Sequence, residues 1–184
     1  MPTKPKLKVI QGGLQSDTLW GTVRIVAAPQ YAQPFSVDAI VAEEDTFMVL
    51  SAGKTVRMPS EHIISIMTEI IETLPVAPGS VIVKNGSPMR LLAIIHDLDR
   101  EPSWRQDWIV QALELIFRET ATRNLHSVAI PLLGAVYGAF DIQHFLNLLR
   151  DTLKRIPPGN LKRLWLIVPQ GASRKIIQMF KSDS

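Results

Sequence analysis

The chain has 184 residues, of which 46% are hydrophobic and 20% are charged, and this composition predicts a soluble globular domain with a sizeable core. Lysine and arginine total 20 against 17 aspartates and glutamates, too small an excess to predict the dense basic face of a nucleic-acid-binding protein. Cysteine is absent, which excludes disulfides, cysteine nucleophiles and cysteine-bearing zinc sites.

The N-terminal residues form a basic segment of their own. Residues 1–8 contain two prolines and three lysines, and no apolar stretch follows that would make a secretory signal. The longest apolar runs of the chain are far too short to span a membrane. We therefore expect a flexible basic arm over residues 1–8 and a single domain over residues 9–184, located in the cytoplasm and without a membrane partner.

The first half of the chain alternates apolar runs with polar breaks. Residues 20–27 are rich in β-branched side chains and predict a strand. A nearly continuous apolar run at 37–42 predicts a buried strand, which the acidic residues 43–45 are expected to end. Residues 46–51 are predicted to be a further strand or an extended segment. Apolar residues at helical spacing predict a helix over residues 60–74.

The middle of the chain predicts a hairpin followed by a helix. Strands are expected at 80–84 and 90–96, because a hairpin-type turn signal separates two apolar runs. Ser103 and Gln106 then form a capping-box pattern, which predicts a helix that ends at about Thr122.

The last third of the chain alternates strands and helices. The predicted elements are a strand at 127–131, a helix that begins at Asp141, a strand at 164–168 and a short helix capped by Ser173. Regular alternation favours parallel strands covered by helices on both faces. The predicted fold class is therefore α/β, a three-layer α/β/α sandwich with a mixed, largely parallel central sheet.

The segment at 127–141, SVAIPLLGAVYGAFD, joins the strand at 127–131 to a helix through a loop that contains Gly134 and Gly138. Free backbone N–H groups in such a loop and the dipole of the following helix both favour a bound anion. The alternative is a tight strand-to-helix turn that needs its two glycines only for their conformation.

Three strings of the sequence resemble the macrodomain family: SVDAIVA at 36–42, PGSVIVKNGSPMRLLAIIH at 78–96 and SVAIPLLGAVYG at 127–138. The resemblance covers roughly residues 20–182. It implies a macrodomain-like fold with a cleft at the C-terminal ends of the strands. It also implies that ADP-ribose binds there, with its diphosphate across the glycine loop and a ribose against the first loop.

The chain departs from the family pattern in its first loop. Ala42, Glu43, Glu44 and Asp45 stand where the family has Asn-Ala-Ala-Asn, whose asparagine supports hydrolysis in active members. The acidic residue that grips the adenine in the family has no evident match. The resemblance therefore implies the fold more strongly than it implies catalysis.

The predicted ligand-binding residues come from the two loops that resemble the family's ligand loops: Leu132, Leu133, Gly134, Ala135, Val136, Tyr137, Gly138, Ala42 and Gly53. The expected ligand is ADP-ribose or a related nucleotide diphosphate, and no cofactor, metal ligand or catalytic residue is predicted. Two alternatives stay open: an enzyme that hydrolyses ADP-ribosyl esters, and an interaction or nucleic-acid-binding module that has lost the ligand. The oligomeric state is not indicated.

Other chemically capable residues favour structural interpretations. The acidic run at 43–45 is interpreted as a solvated charge run. His96 lies next to Asp97, and a structural histidine is expected there in preference to a proton relay. Trp104 and Trp108 are expected to pack in the core rather than to stack on a base.

Overall fold

A computed structural model describes residues 15–52, 75–135 and 140–182 of the chain. Its strands are β1 (Ser16–Trp20), β2 (Val23–Ala28), β3 (Ala39–Asp45), β4 (Val81–Lys84), β5 (Met89–His96), β6 (Ser127–Pro131) and β7 (Arg163–Ile167). Its helices within these ranges are α1 (Val49–Ala52), α2 (Gln106–Thr122), α3 (Ile142–Arg155) and α4 (Ser173–Lys181), with a 3₁₀ turn at Gln30–Ala32. None of the described helices is long and apolar enough to cross a membrane.

The strands form one seven-stranded sheet in the order β1-β2-β7-β6-β3-β5-β4. The five central strands run parallel, and the edge strands β1 and β4 each pair antiparallel with their neighbour. This topology confirms the predicted α/β sandwich with a mixed, largely parallel sheet. Because the carboxyl ends of β3, β6 and β7 lie at one edge, the segments that follow them meet there.

The main core lies between one face of this sheet and the helices α2, α3 and α4. Alternate residues of each central strand point to that face, as the period of an extended chain requires. The strand residues in this core include Ile25, Val41, Leu91, Ile130 and Leu166, each at most 2% exposed. The helix residues include Leu113, Phe117, Phe145, Leu149 and Phe180.

The start of α3 agrees with the sequence-based prediction. Asp141 is the N-cap residue, and its carboxylate accepts the backbone N–H of His144 at 2.8 Å. The cap satisfies an amide that has no partner within the first turn of the helix. The predicted strand at 127–131 coincides with β6.

The predicted strand at 20–27 is wrong in its boundaries, because the chain reverses inside it. Trp20 ends β1 and Val23 begins β2, and the two residues are paired across a hairpin. Gly21 lies in the turn with φ of +56°, a conformation that glycine adopts without steric cost.

The predicted end of β3 at residue 42 is also wrong. The strand continues to Asp45 in pairing with β5, and residues 43–45 are all buried. Residues 46–51 are not a strand, because Asp45 starts a turn and the short helix α1. The Asp45 carboxylate accepts hydrogen bonds from the backbone N–H groups of Phe47, Val49 and Leu50 at 2.7, 2.8 and 2.9 Å.

The two serine caps were predicted wrongly. The N-cap residues of α2 and α4 are Arg105 and Ala172, and neither forms a side-chain capping hydrogen bond. Ser103 instead contacts the end of β5, where its carbonyl accepts the N–H of Asp97 at 2.6 Å. The predicted helix at 60–74 and the predicted arm at 1–8 lie outside the described residues.

Asp38 connects the start of β3 to the start of β6. Its carboxylate accepts the backbone N–H groups of His126 at 2.7 Å and Ser127 at 2.9 Å. Burial acts to raise the pKa of Asp38, but these hydrogen bonds outweigh it and lower the pKa below the usual value of 3.8.

We expect Asp38→Asn to lower the free energy of unfolding by about 1 kcal/mol at neutral pH, because the substitution replaces charge-assisted hydrogen bonds with weaker neutral ones. The loss is small because the site is exposed. A folded-state pKa below the unfolded one stabilises the protein above the unfolded pKa, and this contribution is lost as the pH falls through the folded value. Urea unfolding at about pH 7 and about pH 3 measures both effects. If Asp38→Asn lowered the free energy of unfolding by the same amount at both pH values, the charge of Asp38 would not be the stabilising factor.

Candidate functional site

A cleft of about 610 Å³ lies at the C-terminal edge of the parallel strands. Its volume falls within the range of about 300–1,000 Å³ that is usual for small-molecule sites. The described residues that line it are Gln30, Ile40, Val41, Ala42, Glu43, Leu50, Arg90, Pro131, Leu132, Ala135, Ile142, Ile167, Val168 and Pro169.

The structure brings part of the predicted ligand-binding set to this cleft. Ala42 of β3 and two residues after β6, Leu132 and Ala135, line it. Leu133 lies in the core with no exposed surface, and Gly134 is buried behind the cleft wall. Four predicted residues lie outside the described ranges: Gly53, Val136, Tyr137 and Gly138.

Gly134 occupies a position that only glycine fits. Its φ is +78°, in the left-handed region that strains other residues. A Cβ atom at this position would lie 2.8 Å from Cδ1 of Ile109 and 3.1 Å from Cβ of Phe140. The loop after β6 is therefore held tightly against α2, as the turn interpretation of this glycine expected.

The amide of Gly134 already has an anionic partner within the chain. Its N–H donates to Oε1 of Glu43 at 2.9 Å, and the Glu43 side chain is only 3% exposed. The interpretation of residues 43–45 as a solvated charge run is therefore wrong. Because side chains alternate along a strand, extending β3 by one residue places Glu43 on the same face as the buried Val41.

His96 completes this buried polar group at the end of β5. Its Nε2 lies 3.0 Å from Oε2 of Glu43, and its Nδ1 lies 3.4 Å from Oγ of Ser103. A proton on Nε2 lets the ring donate to the carboxylate, and Nδ1 lies within hydrogen-bond distance of the Ser103 hydroxyl. Both oxygens of Glu43 are thus engaged, and His96 itself is 1% exposed.

Arg90 is a second residue of the cleft that the sequence-based prediction did not include. It is exposed near the start of β5, opposite Ile40 of β3 in the strand register. Among the described lining residues, Arg90 carries the positive charge and Glu43 the negative one. No local sequence pattern connects Arg90 with Ala42. The two residues share a cleft because β3 pairs with β5 in the folded protein.

Trp104 packs as predicted. It is partly buried against the core, and its ring makes an edge contact with Phe140 at a centroid distance of 4.8 Å. Trp108 instead lies under the guanidinium of Arg105, 5.7 Å from the ring centroid, on the half-exposed face of α2.

We expect Glu43→Ala to lower the free energy of unfolding by about 2–4 kcal/mol, because it leaves the Gly134 amide and the His96 ring without their buried acceptor. Glu43→Gln should cost less, since its amide oxygen can still accept one of the two hydrogen bonds. Glu119→Ala on the solvent side of α2 is a suitable control, measured by the same urea titration. If Glu43→Ala were as stable as this control, the hydrogen bonds of Glu43 to Gly134 and His96 would not stabilise the protein.

Comparison with known proteins relates this geometry to one fold. No protein-family model and no curated protein matches the chain. The macrodomain of Oceanobacillus iheyensis, in a structure with ADP, matches with a TM-score of 0.66 and 9% identity, over 90% of this chain and 94% of that one. The DarG macrodomain of Thermus aquaticus matches with a TM-score of 0.56 and 14% identity, over 79% and 98% of the two chains.

The DarG macrodomain of Mycobacterium tuberculosis is a third such structure, with a TM-score of 0.56 and 18% identity over 73% of this chain and 91% of that one. These likenesses extend over most of both chains, whereas the sequences have diverged widely. As the three sequence strings predicted, the protein has the macrodomain fold.

Proposed function

We propose that the chain is a binding module for ADP-ribose or a related nucleotide diphosphate, and that it does not hydrolyse ADP-ribosyl esters. The observation that carries this proposal is the cleft at the C-terminal edge of β3, β6 and β7. It is supported by structures of the Oceanobacillus iheyensis macrodomain, which has been described with ADP and, as a glycine-to-valine mutant, with ADP-ribose.

The lining of the cleft suits a ligand with a flat apolar part and an anionic part. Most of the lining side chains are apolar, and small residues such as Ala42 and Ala135 leave room between the strand ends. Among the described lining residues, Gln30, Glu43 and Arg90 have polar side chains. A mostly apolar wall with a few placed polar groups is typical of small-molecule sites.

We infer the absence of hydrolysis from the side chains at the end of β3, at residues 42–45. Ala42 has no polar side chain, and both oxygens of Glu43 are engaged by Gly134 and His96. The carboxylate of Asp45 is used by the backbone of α1. Positioning a water molecule for attack demands accuracy, since a misplacement of about 1 Å can cost ~100-fold in rate.

The binding proposal predicts that filling the cleft weakens the binding of ADP-ribose. Ala42→Phe should weaken binding by at least about tenfold, because the ring occupies space between β3 and the segment after β6. Ala77→Phe, at an exposed position, is the matched control. Isothermal titration calorimetry with ADP-ribose measures both, and circular dichroism checks that each variant is folded. A parent protein that does not bind ADP-ribose would favour the alternative of an interaction module that has lost the ligand.

The catalytic part of the proposal predicts no appreciable turnover of a protein ester-linked to ADP-ribose. A time course that follows release of ADP-ribose from such a substrate measures it. Clear turnover by the parent that disappears in Glu43→Gln or His96→Ala would instead establish an ADP-ribosyl ester hydrolase, and it would make Glu43 and His96 the first candidates for proton transfer.

A further inference from the structure

Two positively charged residues lie side by side on the hairpin of β4 and β5. Lys84 and Arg90 are directly opposite each other in the strand register, so their side chains lie on the same face of the sheet. Both are exposed, and neither makes an ion pair with a residue in the described ranges. Like charges in directly opposite positions destabilise a pair of strands. This cation pair is therefore complementary to an anionic partner.

The strand β4 also has an unpaired outer side. It is the last strand of the sheet, and among the described residues only β5 pairs with it. The carbonyl of Ser80 accepts the N–H of Ile94 at 2.9 Å, so Ser80 faces β5. Backbone orientation alternates along an antiparallel strand, so Ile82 faces β5 as well, and the N–H and C=O groups of Val81 and Val83 point outward. An outer side of this kind is a template for an added strand.

The two faces of β4 differ in what they offer to an added strand. Val81 and Val83 lie on the α2 side of the sheet and pack partly against the main core. A groove of about 300 Å³ lies next to the start of β4, between α2 and residues 78–80, and Leu115 in its wall is 36% exposed. The opposite face of the strand carries Ile82 and the cation pair. An added strand therefore matches β4 best when its side chains alternate between apolar and acidic.

We propose that β4 binds an extended acidic peptide of a partner protein, which adds a strand to the outer side of the sheet. Its backbone bonds to Val81 and Val83, its apolar side chains face the α2 side, and its carboxylates lie at the cation pair. A second copy of this chain is less complementary, because β4 contains Lys84 and has no carboxylate to pair with it. This inference does not depend on the proposed ligand of the cleft.

Binding of a synthetic peptide tests the proposal. The probe is a labelled peptide of about eight residues that alternates valine with glutamate, and a peptide of the same length that alternates valine with lysine is the control. Fluorescence anisotropy measures both. The parent should bind the glutamate peptide at least about tenfold more tightly than the lysine peptide, and more weakly as salt is added. Equal binding of the two peptides, or no binding of the glutamate peptide, would overturn the proposal.

Charge reversal at Lys84 tests the role of the cation pair at an exposed position. Lys84→Glu should bind the glutamate peptide about tenfold more weakly than the parent does, and it should bind the lysine peptide more tightly. Lys162→Glu, at another exposed lysine, is the matched control and should bind the glutamate peptide within about twofold of the parent. If Lys84→Glu binds the glutamate peptide as tightly as the parent does, the proposal is wrong.

A proline in β4 tests the addition of a strand. Val83→Pro removes an N–H that points outward, so it should weaken peptide binding by about tenfold and leave the pairing with β5 in place. Leu19→Pro is the control in the other edge strand, where the two-residue turn makes Trp20 and Val23 a bonded pair and directs the Leu19 N–H outward. Circular dichroism checks that both variants are folded.

Unchanged peptide binding by a folded Val83→Pro would contradict the added strand. If Val83→Pro does not fold, the Lys84→Glu comparison decides. Sedimentation velocity tests the other occupant of this edge. A parent dimer that Val83→Pro dissociates would assign the outer side of β4 to a second copy of the chain, and it would overturn the proposal.

Discussion

The hydrogen bond from the Gly134 amide to the Glu43 carboxylate is the contact on which the geometry of the cleft depends. It joins the end of β3 to the loop after β6, and His96 extends the same buried group to the end of β5. An amide, a carboxylate and an imidazole would each be costly to bury alone, and together they satisfy one another. The ends of three strands are thereby held in one arrangement.

This internal contact changes how an anion can be bound at the edge of the sheet. In a loop with free amides the backbone itself provides the positive potential. Here the chain supplies its own carboxylate at Gly134, so that amide already has an anionic partner. Arg90 is the cationic residue among the described lining residues of the cleft. Its position is determined by the pairing of β5 with β3, far from the glycine loop in sequence.

The macrodomain fold accommodates this difference because the acidic residues lie at the very end of β3 and have partners within the chain. The five parallel strands and the helices α2, α3 and α4 form the hydrophobic core, and the buried acidic residues 43–45 lie at the C-terminal end of β3. The loops at the strand ends can therefore vary while the architecture is retained. The low sequence identity to the solved macrodomains is consistent with such variation.

The sequence by itself determined the features that depend on neighbouring residues. The apolar run of β6, the hairpin of β4 and β5, and the Asp141 cap could all be predicted, because short-range patterns specify them. The burial of Glu43 was decided by the tertiary structure, since its partners His96 and Gly134 are 53 and 91 positions away in the chain. A carboxylate in isolation favours water, and only partners supplied by folding make its burial stable.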